Sequence, residues 1–246
     1  MNSQSINPAP PELSVVVPVH NEEGNIEPLI GEIRAALDGV LDYEVIYVDD
    51  GSSDATLQRL IALRNGFNRL RILNHRKSCG QSTAVLTGAR AARAAWIVTL
   101  DGDGQNDPAD IPALLAARSG ADGPQLICGR RRRRNDSWLK RLSSRVANRV
   151  RAGLLKDNTP DTGCGLKLFS RSAFLALPHF DHMHRFLPAL MLRNGGRVVN
   201  VDVNHRARGH GKSNYGLHNR LWVGIIDMFG VMWLQRRTKL PVILEK

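Results

Sequence analysis

Residues 96–105 read WIVTLDGDGQ, an apolar run that ends in two aspartates, Asp101 and Asp103. A short apolar run bounded by turn residues predicts a strand buried on both faces of a sheet. The same order, an apolar run and then a polar cluster, occurs twice earlier, at residues 13–22 and 43–52. Segments with helical spacing of apolar side chains separate these runs. The alternation predicts an α/β fold, a mostly parallel sheet with helices on both faces.

Periodicity extends this pattern over the remaining chain. Further strands are predicted at residues 70–73, just after 161–165, and at 198–203, and further helices at 81–95, 138–155 and 186–193. In such sheets ligands bind at the carboxyl ends of the strands, where the polar clusters lie.

Composition limits the classes of partner. The 246 residues carry a formal net charge of +11, which favours an anionic partner such as nucleic acid, anionic lipid or a phosphorylated substrate. Aromatic residues make up only 5%, and no nucleic-acid-binding motif is present. Three widely spaced cysteines and a polar N-terminus without a signal-peptide pattern favour a reducing, cytoplasmic location.

The acidic pair predicts a cation site. Two carboxylates two residues apart on a turn can both bind one hard cation, magnesium or manganese, whose remaining ligands are often substrate phosphates. A polar turn with aspartate caps is the alternative interpretation of so short a motif. At the ends of the earlier strands, Asp50 can accept hydrogen bonds from a base or ribose, His20 can stack on a base, and Glu22 can accept from a ribose hydroxyl. Neither a glycine-rich dinucleotide fingerprint nor a phosphate-loop lysine accompanies them.

Seven stretches in a fixed order carry a family resemblance. They are VVVPVHNEEGNI (15–26), VDDGSSD (48–54), GQSTAVLTGA (80–89), LDGDGQNDP (100–108), DTGCGLKLFSR (161–171), RFLPAL (185–190) and RARGHGKSNY (206–215). Together they make the chain resemble the family-two inverting glycosyltransferases of the dolichol-phosphate mannose synthase type. The resemblance implies a GT-A fold and transfer of a hexose from a GDP- or UDP-sugar to a polyprenyl phosphate.

The resemblance also implies roles for individual residues. The nucleotide would be held by Pro18, His20, Glu22, Val48 and Asp50. The metal, Mg²⁺ or Mn²⁺, and the diphosphate would be held by Asp101, Gly102, Asp103 and Gln105. Phosphates of donor and acceptor would face Arg130, Ser144, Arg208 and Lys212, and the catalytic residues would be Asp103, Arg130 and Arg208.

A phosphate acceptor makes chemical sense of these residues. Its oxygen is already anionic and needs no general base before it attacks. The site needs cations that bring two negative groups together, and arginine stays charged and grips phosphate with two donors.

The chain departs from the family pattern at several positions. A role for Asp161 as a structural or as a catalytic residue is open, and Lys212 can substitute for a lysine that the family usually has two residues later. The departures are His20 for Tyr, DGDGQ for DADLQ, Cys164 for Ser, Leu166 for Phe and Asn214 for Lys.

The C-terminal part predicts a membrane contact. Residues 221–234 are almost entirely apolar and include Trp222, Phe229 and Trp233, but they are too few to span a bilayer. With the basic run at 130–134, they favour peripheral binding to an anionic membrane surface, on the cytoplasmic face, or reliance on an integral-membrane partner. Packing on the domain or on a second copy of the chain is the alternative. The predicted division is a flexible tail at 1–12, a GT-A catalytic domain at 13–215 and an interfacial helix with its tail at 216–246.

Three other functions remain open. Transfer to a sugar or protein hydroxyl would require a general base near the donor. A basic nucleic-acid-binding module would explain the charge but not the acidic clusters. A catalytically silent subunit would recruit a partner, although the intact Asp101, Asp103 and Gln105 argue against it.

Overall fold

The computed structural model describes residues 9–118, 123–132, 151–157, 159–207, 217–237 and 239. Seven strands form one sheet: β1 (Leu13–Val19), β2 (Tyr43–Asp49), β3 (Leu70–Asn74), β4 (Trp96–Thr99), β5 (Leu126–Arg131), β6 (Lys167–Ser170) and β7 (Val198–Val203). The helices are α1 (Ile26–Leu37), α2 (Thr56–Arg64), α3 (Gln81–Ala91), α4 (Ile111–Ala116), α5 (Arg171–Leu175), α6 (Leu187–Arg193) and α7 (Leu217–Arg237). Short 3₁₀ turns occupy Glu23–Asn25, Pro108–Asp110 and Met183–Arg185.

The strand order across the sheet is β3-β2-β1-β4-β6-β5-β7. Every neighbouring pair is parallel except those of β6, which is antiparallel to both β4 and β5. The carboxyl ends of the other six strands therefore meet at one edge. The predicted α/β fold with a mostly parallel sheet is confirmed.

Helices cover both faces of the sheet, as predicted. One apolar cluster joins α1, α2 and α4 to strand residues such as Val15 and Val17. The other joins α3, α5, α6 and α7 to Val16 and Ile46, which point the opposite way along the same strands. Alternate strand residues thus contribute to two separate cores, which explains why the middle of β1 and of β2 is apolar on both faces.

One predicted helix is shorter than expected. The periodicity predicts a helix over residues 81–95, but α3 ends at Ala91 and Ala92 is already extended. The backbone N–H of Arg93 donates to Glu44 Oε1 at 2.7 Å, and that of Ala94 donates to Ser14 Oγ at 3.2 Å. These bonds to buried side chains replace the helical ones. The helix predicted at 138–155 lies largely outside the described residues, and 151–155 are helical.

The two ends of the described chain differ. Pro11 is buried, and the Glu12 N–H donates to the Asp42 carbonyl at 2.9 Å, so contact with the sheet begins just before β1. At the other end α7 is a single helix of 21 residues. Among the described residues, no helix combines the length and the apolar character needed to cross a bilayer. The division at residues 12 and 215 stays a prediction.

Candidate active site

The acidic turn after β4 is closed by its own side chains. The Asp101 N–H donates to Asn106 Oδ1 at 3.0 Å, and the Gln105 N–H donates to Asp103 Oδ1 at 3.1 Å. Gly104 has a φ of +72°, which favours glycine. Asp103 is buried and Asp101 is half-buried. The turn therefore holds both carboxylates at the carboxyl edge of the sheet.

Gly102 lets this turn lie against the end of β1. A Cβ at residue 102 would stand 2.5 Å from Val19 Cγ1 and 3.1 Å from the Pro18 carbonyl oxygen. The first distance is shorter than real Cβ contacts and the second is tighter than most, so the close approach requires glycine. The predicted ligand-binding residues Gly102 and Pro18 thus meet in the structure through packing, and their contact with a nucleotide stays a prediction.

A second glycine lies against the Asp101 carboxylate. A Cβ at Gly165 would come within 2.2 Å of Asp101 Oδ2, and the Gly165 carbonyl accepts a hydrogen bond of 2.9 Å from Thr99 Oγ1. The segment 161–165, called the cover below, therefore lies against Asp101 at Gly165, where no space is left for a side chain.

Asp161 is held in this cover by Arg131. The guanidinium donates to both carboxylate oxygens, from Nε at 2.6 Å and from Nη2 at 2.7 Å. The two side chains are only 13% and 8% exposed. A bidentate, buried pair of this kind fixes the position of the segment. The geometry favours the structural interpretation of Asp161 over the catalytic one.

The electrostatics of the acidic pair are unfavourable without a counter-charge. Burial, and next the neighbouring Asp103 carboxylate, raise the pKa of Asp101 from 3.8 to about 6, although Lys167, Gln81 and Arg131 act in the opposite direction. Two hard oxygen ligands that repel one another fit a divalent cation such as Mg²⁺ or Mn²⁺. The residues present therefore suit the predicted metal.

Asp50 presents the opposite picture. Its carboxylate accepts four hydrogen bonds of 2.7 to 2.9 Å, from His75 Nδ1, Ser78 Oγ and the backbone N–H groups of Cys79 and Gly80. Burial raises the pKa of Asp50, but these bonds outweigh burial and lower it overall. The carboxylate fastens residues 75–80 to the end of β2. A direct contact between Asp50 and the nucleotide stays a prediction.

The other predicted nucleotide residues surround the ends of β1 and β2. His20 Nδ1 donates to the Asp50 carbonyl at 2.9 Å, and Glu22 Oε2 accepts from Asn25 Nδ2 at 2.6 Å. The Val48 side chain is buried in the core, where Gly88 of α3 packs beside it. Any nucleotide contact of Val48 is therefore through its backbone rather than its side chain.

The first turn of α3 connects the two aspartate clusters. The Gly80 N–H donates to Asp50 Oδ2 at 2.9 Å, and Gln81 Nε2 donates to Asp101 Oδ1 at 2.8 Å. Gly80 has a φ of +86°, a conformation that glycine adopts without strain. The stretch 80–89 belonged to a recognised motif, but only the folded chain shows that it bridges Asp50 and Asp101.

Gln105 joins the acidic turn to the segment after β7. Its carbonyl accepts from the Arg206 N–H at 3.1 Å, and its side-chain amide donates to the Arg206 carbonyl at 3.5 Å. Arg206 also grips Glu32 of α1 with two bonds of 2.8 and 2.7 Å. The predicted role of Gln105 as a metal ligand stays a prediction, since its side chain points its amide nitrogen at the loop.

Arg130 reaches the same edge of the sheet as Asp101. Cys128 of β5 and Thr99 of β4 both pair with Lys167 of β6, and Arg130 and Asp101 each lie two residues further on. Two strand spacings, about 10 Å, separate the two chains at that level.

The guanidinium of Arg130 is exposed and already has an anionic partner. Its Nε donates to Asp202 Oδ1 of β7 at 2.5 Å, and this bond raises the pKa of Arg130. A phosphate that bound Arg130 would therefore compete with Asp202 or share the guanidinium with it.

Comparison with known proteins identifies the family. The model of "Glycosyl transferase family 2" matches residues 14–177. The chain belongs to this family. It is therefore a glycosyltransferase, and the predicted resemblance is confirmed.

Two relatives are similar in sequence to this glycosyltransferase over most of its length. A dodecaprenyl-phosphate galacturonate synthase of Rhizobium johnstonii is 36% identical over 235 residues, which cover 94% of this chain and 69% of the relative. An undecaprenyl-phosphate 4-deoxy-4-formamido-L-arabinose transferase of Edwardsiella ictaluri is 35% identical over 208 residues, covering 83% and 63%. The chain thus spans roughly two thirds of the length of these relatives.

Solved structures confirm the predicted GT-A fold. Glucosyl-3-phosphoglycerate synthase from Mycobacterium tuberculosis, crystallised with Mn²⁺, UDP-glucose and glycerol 3-phosphate, superposes with a TM-score of 0.69 at 22% identity. The match covers 92% of this glycosyltransferase and 80% of that chain. A crystal of the same enzyme with Mg²⁺ and UDP gives the same TM-score.

The structure brings together most of the predicted site, and adds to it. Ser144, Arg208 and Lys212 lie outside the described residues. No sequence pattern singled out Asn106, Gln81 or Gly165, because their roles depend on contacts rather than on local spacing. The available signal was that all three residues lie inside the recognised stretches 80–89, 100–108 and 161–171.

Proposed function

We propose that this glycosyltransferase transfers a hexose, with inversion, from a GDP- or UDP-sugar to a polyprenyl phosphate in the presence of Mg²⁺ or Mn²⁺. The observation that carries the proposal is the Asp101–Asp103 pair, a half-buried and a buried carboxylate at the carboxyl edge of the sheet, with the pKa of Asp101 raised to about 6. The names of the two relatives, both polyprenyl-phosphate sugar transferases, support the acceptor.

Different residues would bind the metal and the acceptor. Asp101 and Asp103 would hold the metal, which supplies positive charge to the departing nucleotide diphosphate when bound. Arg130, at the same edge, would hold the acceptor phosphate. Its anionic oxygen attacks the anomeric carbon from the face opposite the diphosphate, and the bond from that carbon to the diphosphate oxygen breaks.

The surrounding carboxylates support a phosphate acceptor over a hydroxyl acceptor. A hydroxyl would need a general base with a free lone pair. Asp50 accepts four hydrogen bonds, and Asp161 is held by both nitrogens of Arg131. Neither carboxylate is available to take a proton without losing a bond that stabilises the fold.

A transfer assay tests the reaction. Purified protein is incubated with a panel of GDP- and UDP-sugars and with undecaprenyl or dolichyl phosphate, with Mn²⁺, with Mg²⁺ or with EDTA. We expect sugar label to enter the organic phase only with a lipid phosphate and a metal. Equal transfer in EDTA would exclude the metal, and transfer to a free sugar or peptide hydroxyl in preference to lipid phosphate would exclude the acceptor.

We further propose that α7 attaches the enzyme to an anionic membrane surface. Val231 is fully buried and Met228 and Met232 pack against the core, so this face of the helix is occupied. On the outer face, Ile226 and Phe229 are 68% and 61% exposed. Trp233 is 58% exposed on the same face, one turn further along.

Charge favours lipid as the occupant of this outer face. Arg236, Arg237 and Lys239 are exposed immediately beyond the apolar stripe. Basic residues near anionic lipid contribute roughly 1 kcal/mol each. A second copy of the chain would instead bring together two molecules of net charge +11. The predicted cytoplasmic face of the membrane, and an integral-membrane partner, stay predictions.

Vesicle flotation tests the attachment. We expect the protein to float with vesicles containing phosphatidylglycerol and not with pure phosphatidylcholine, and the double change Phe229→Ser and Trp233→Ser to abolish flotation. The matched control is Ile61→Ser, which removes an apolar side chain 48% exposed on α2. Unchanged flotation of the double variant, or a stable dimer that it dissociates, would contradict the proposal.

A further inference from the structure

The segment between α5 and α6 approaches the first turn of α3 at two points. A Cβ at Gly80 would lie 3.1 Å from Asp181 Oδ1, and His184 is hydrogen-bonded to Ser82. Met183 and Phe186 are buried on either side of His184 and anchor the segment in the core. The backbone on both sides of His184 is therefore anchored in the core, which restricts the position of its imidazole.

Ser82 determines which nitrogen of His184 carries the proton. The Ser82 hydroxyl accepts the His184 backbone N–H at 3.2 Å, and lies 2.8 Å from His184 Nδ1. Among the residues that the structure describes, Nδ1 is the only acceptor within hydrogen-bond distance of this buried hydroxyl, so the hydroxyl donates its one proton to Nδ1. The ring proton must then be on Nε2.

The ring is neutral at physiological pH. Burial, and next the nearby Lys167, Arg185 and His182, hold the pKa of His184 well below its ordinary value of 6.5. Among the residues that the structure describes, Nε2 has no hydrogen-bond partner. It is also not one of the fully buried polar atoms without a partner. Nε2 therefore keeps access to solvent and presents a neutral N–H donor in one orientation.

Two adjacent residues of α3 link the acidic pair to His184. Gln81 donates to Asp101, and Ser82, the next residue, holds His184. The nucleoside end of a donor would lie at the ends of β1 and β2, and its diphosphate at Asp101 and Asp103. The group that follows the diphosphate in a nucleotide-sugar is the sugar.

We propose that His184 is a substrate-binding residue whose Nε2–H donates a hydrogen bond to an oxygen of the transferred sugar. This inference rests on the proposed function. A neutral N–H suits a hydroxyl or carbonyl oxygen of the sugar, whereas phosphates are better served by the metal and by arginine. Ser82 acts through His184 as a positioning residue, since it fixes both the ring and its proton.

Substitutions that imitate one nitrogen at a time test this role. The amide nitrogen of glutamine reaches the position of Nε2, whereas that of asparagine reaches the position of Nδ1. We expect His184→Ala and His184→Asn to lower kcat/KM for the nucleotide-sugar about tenfold, the effect of one lost hydrogen bond. His184→Gln should recover most of that loss. Binding of the free nucleoside diphosphate, measured by calorimetry with Mn²⁺, should stay within about twofold of wild type for each variant.

Two further variants complete the design. His179→Ala removes an exposed histidine from the same segment and should leave every parameter unchanged. Ser82→Ala should lower kcat/KM less than His184→Ala and should add nothing in the double variant, because Ser82 acts only by positioning the donor that His184→Ala removes. Melting temperatures verify that each variant is folded.

The outcomes separate this inference from the proposed function. Wild-type kcat/KM in His184→Ala overturns the role of His184, and so does an equal loss of nucleoside diphosphate binding. Failure of the wild type to glycosylate any lipid phosphate overturns the proposed function instead. In that case calorimetry still decides His184, because its removal should weaken binding of the nucleotide-sugar and spare that of the nucleotide.

Discussion

Glu44 and Asp101 are both carboxylates at the ends of strands in one sheet, yet they have opposite environments. Glu44 stands at the amino edge, near the start of β2, and is 1% exposed. Asp101 stands at the carboxyl edge, just after β4. The pKa of Glu44 is lowered, and that of Asp101 is raised to about 6. The same functional group is thus fully partnered at one edge and poorly partnered at the other.

The hydrogen-bond partners of Glu44 account for its lowered pKa. Burial alone would raise its pKa, but it accepts from the Arg93 N–H at 2.7 Å, from Ser14 Oγ at 2.7 Å and from Arg71 Nη1 at 2.6 Å. Arg93 Nε adds a fourth bond at 3.0 Å. A carboxylate so completely satisfied by its own chain serves the fold.

Asp101 is the opposite case, a carboxylate with few partners from its own chain. Its one side-chain hydrogen bond among those described comes from Gln81, and its nearest like charge is Asp103. Burial and this like charge outweigh the nearby Lys167 and Arg131, and such a carboxylate destabilises a folded protein unless a ligand compensates for it. The contrast locates the chemistry at the carboxyl edge, and four experiments test it.

The largest effect is expected from Asp103→Asn. Loss of one of two metal-binding carboxylates should lower transfer at least about 100-fold, since outer-shell changes alone cost 10- to 100-fold. The metal-free variant should be at least as stable as wild type, because it removes the repulsion of Asp101. Steady-state transfer and urea unfolding measure the two quantities. A variant that keeps wild-type turnover would remove the carboxyl edge from the mechanism.

Gly165→Ala should have the next largest effect. The new Cβ would stand 2.2 to 2.4 Å from the atoms of the Asp101 carboxyl group and must displace it. We expect a loss of about 10- to 100-fold in kcat and a higher Mn²⁺ concentration for half activity. Gly163→Ala is the matched control, since its Cβ would meet the end of the Arg131 side chain at 3.2 Å and Asp161 Oδ1 at 3.7 Å, but not Asp101. Equal effects of both variants would contradict the cover assigned to residue 165.

Glu44→Gln should change stability rather than catalysis. It weakens bonds to Arg71 and Arg93 in a buried network, and we expect a decrease of about 2 kcal/mol in the free energy of unfolding at pH 7. Because the folded-state pKa of Glu44 is lowered, its contribution is present above the ordinary value of 4.5 and is lost as the pH falls below it. The difference between variant and wild type should therefore shrink in acid. A lowered kcat at a temperature where the variant is folded would contradict the assignment of Glu44 to stability alone.

The smallest expected effect is a pH dependence of the increase in melting temperature caused by Mn²⁺. The folded-state pKa of Asp101 is raised from 3.8 to about 6, so metal-free protein should lose stability through this group as the pH rises from about 4 through about 6. Metal binding requires the ionised carboxylate. The increase in melting temperature caused by Mn²⁺ should thus be a few degrees larger at pH 7.5 than at pH 5. Asp101→Asn should abolish this difference, and a shift independent of pH would argue that Mn²⁺ binds elsewhere.

The sequence predicted six of the seven strands and the acidic edge for a local reason, but it missed β5 and α4. Apolar runs, helical spacing and strand-end polar residues are properties of short segments, and the carboxyl ends of parallel strands share an edge in any sheet of this class. Asp50, Asp101 and Asp103 could therefore be placed at one edge, and ordered motifs were sufficient to recognise the family.

Tertiary structure decided what each carboxylate does. Asp50 and Glu44 are satisfied by donors that come from other strands and loops, whereas Asp101 is covered by Gly165 and left beside Asp103. Ser82 and His184 meet across 102 residues of chain. Such contacts depend on how distant segments pack, and no local pattern encodes that packing. For the same reason α3 ends at Ala91: the helical periodicity continues in the sequence, but Glu44 and Ser14, on neighbouring strands, take the next N–H groups.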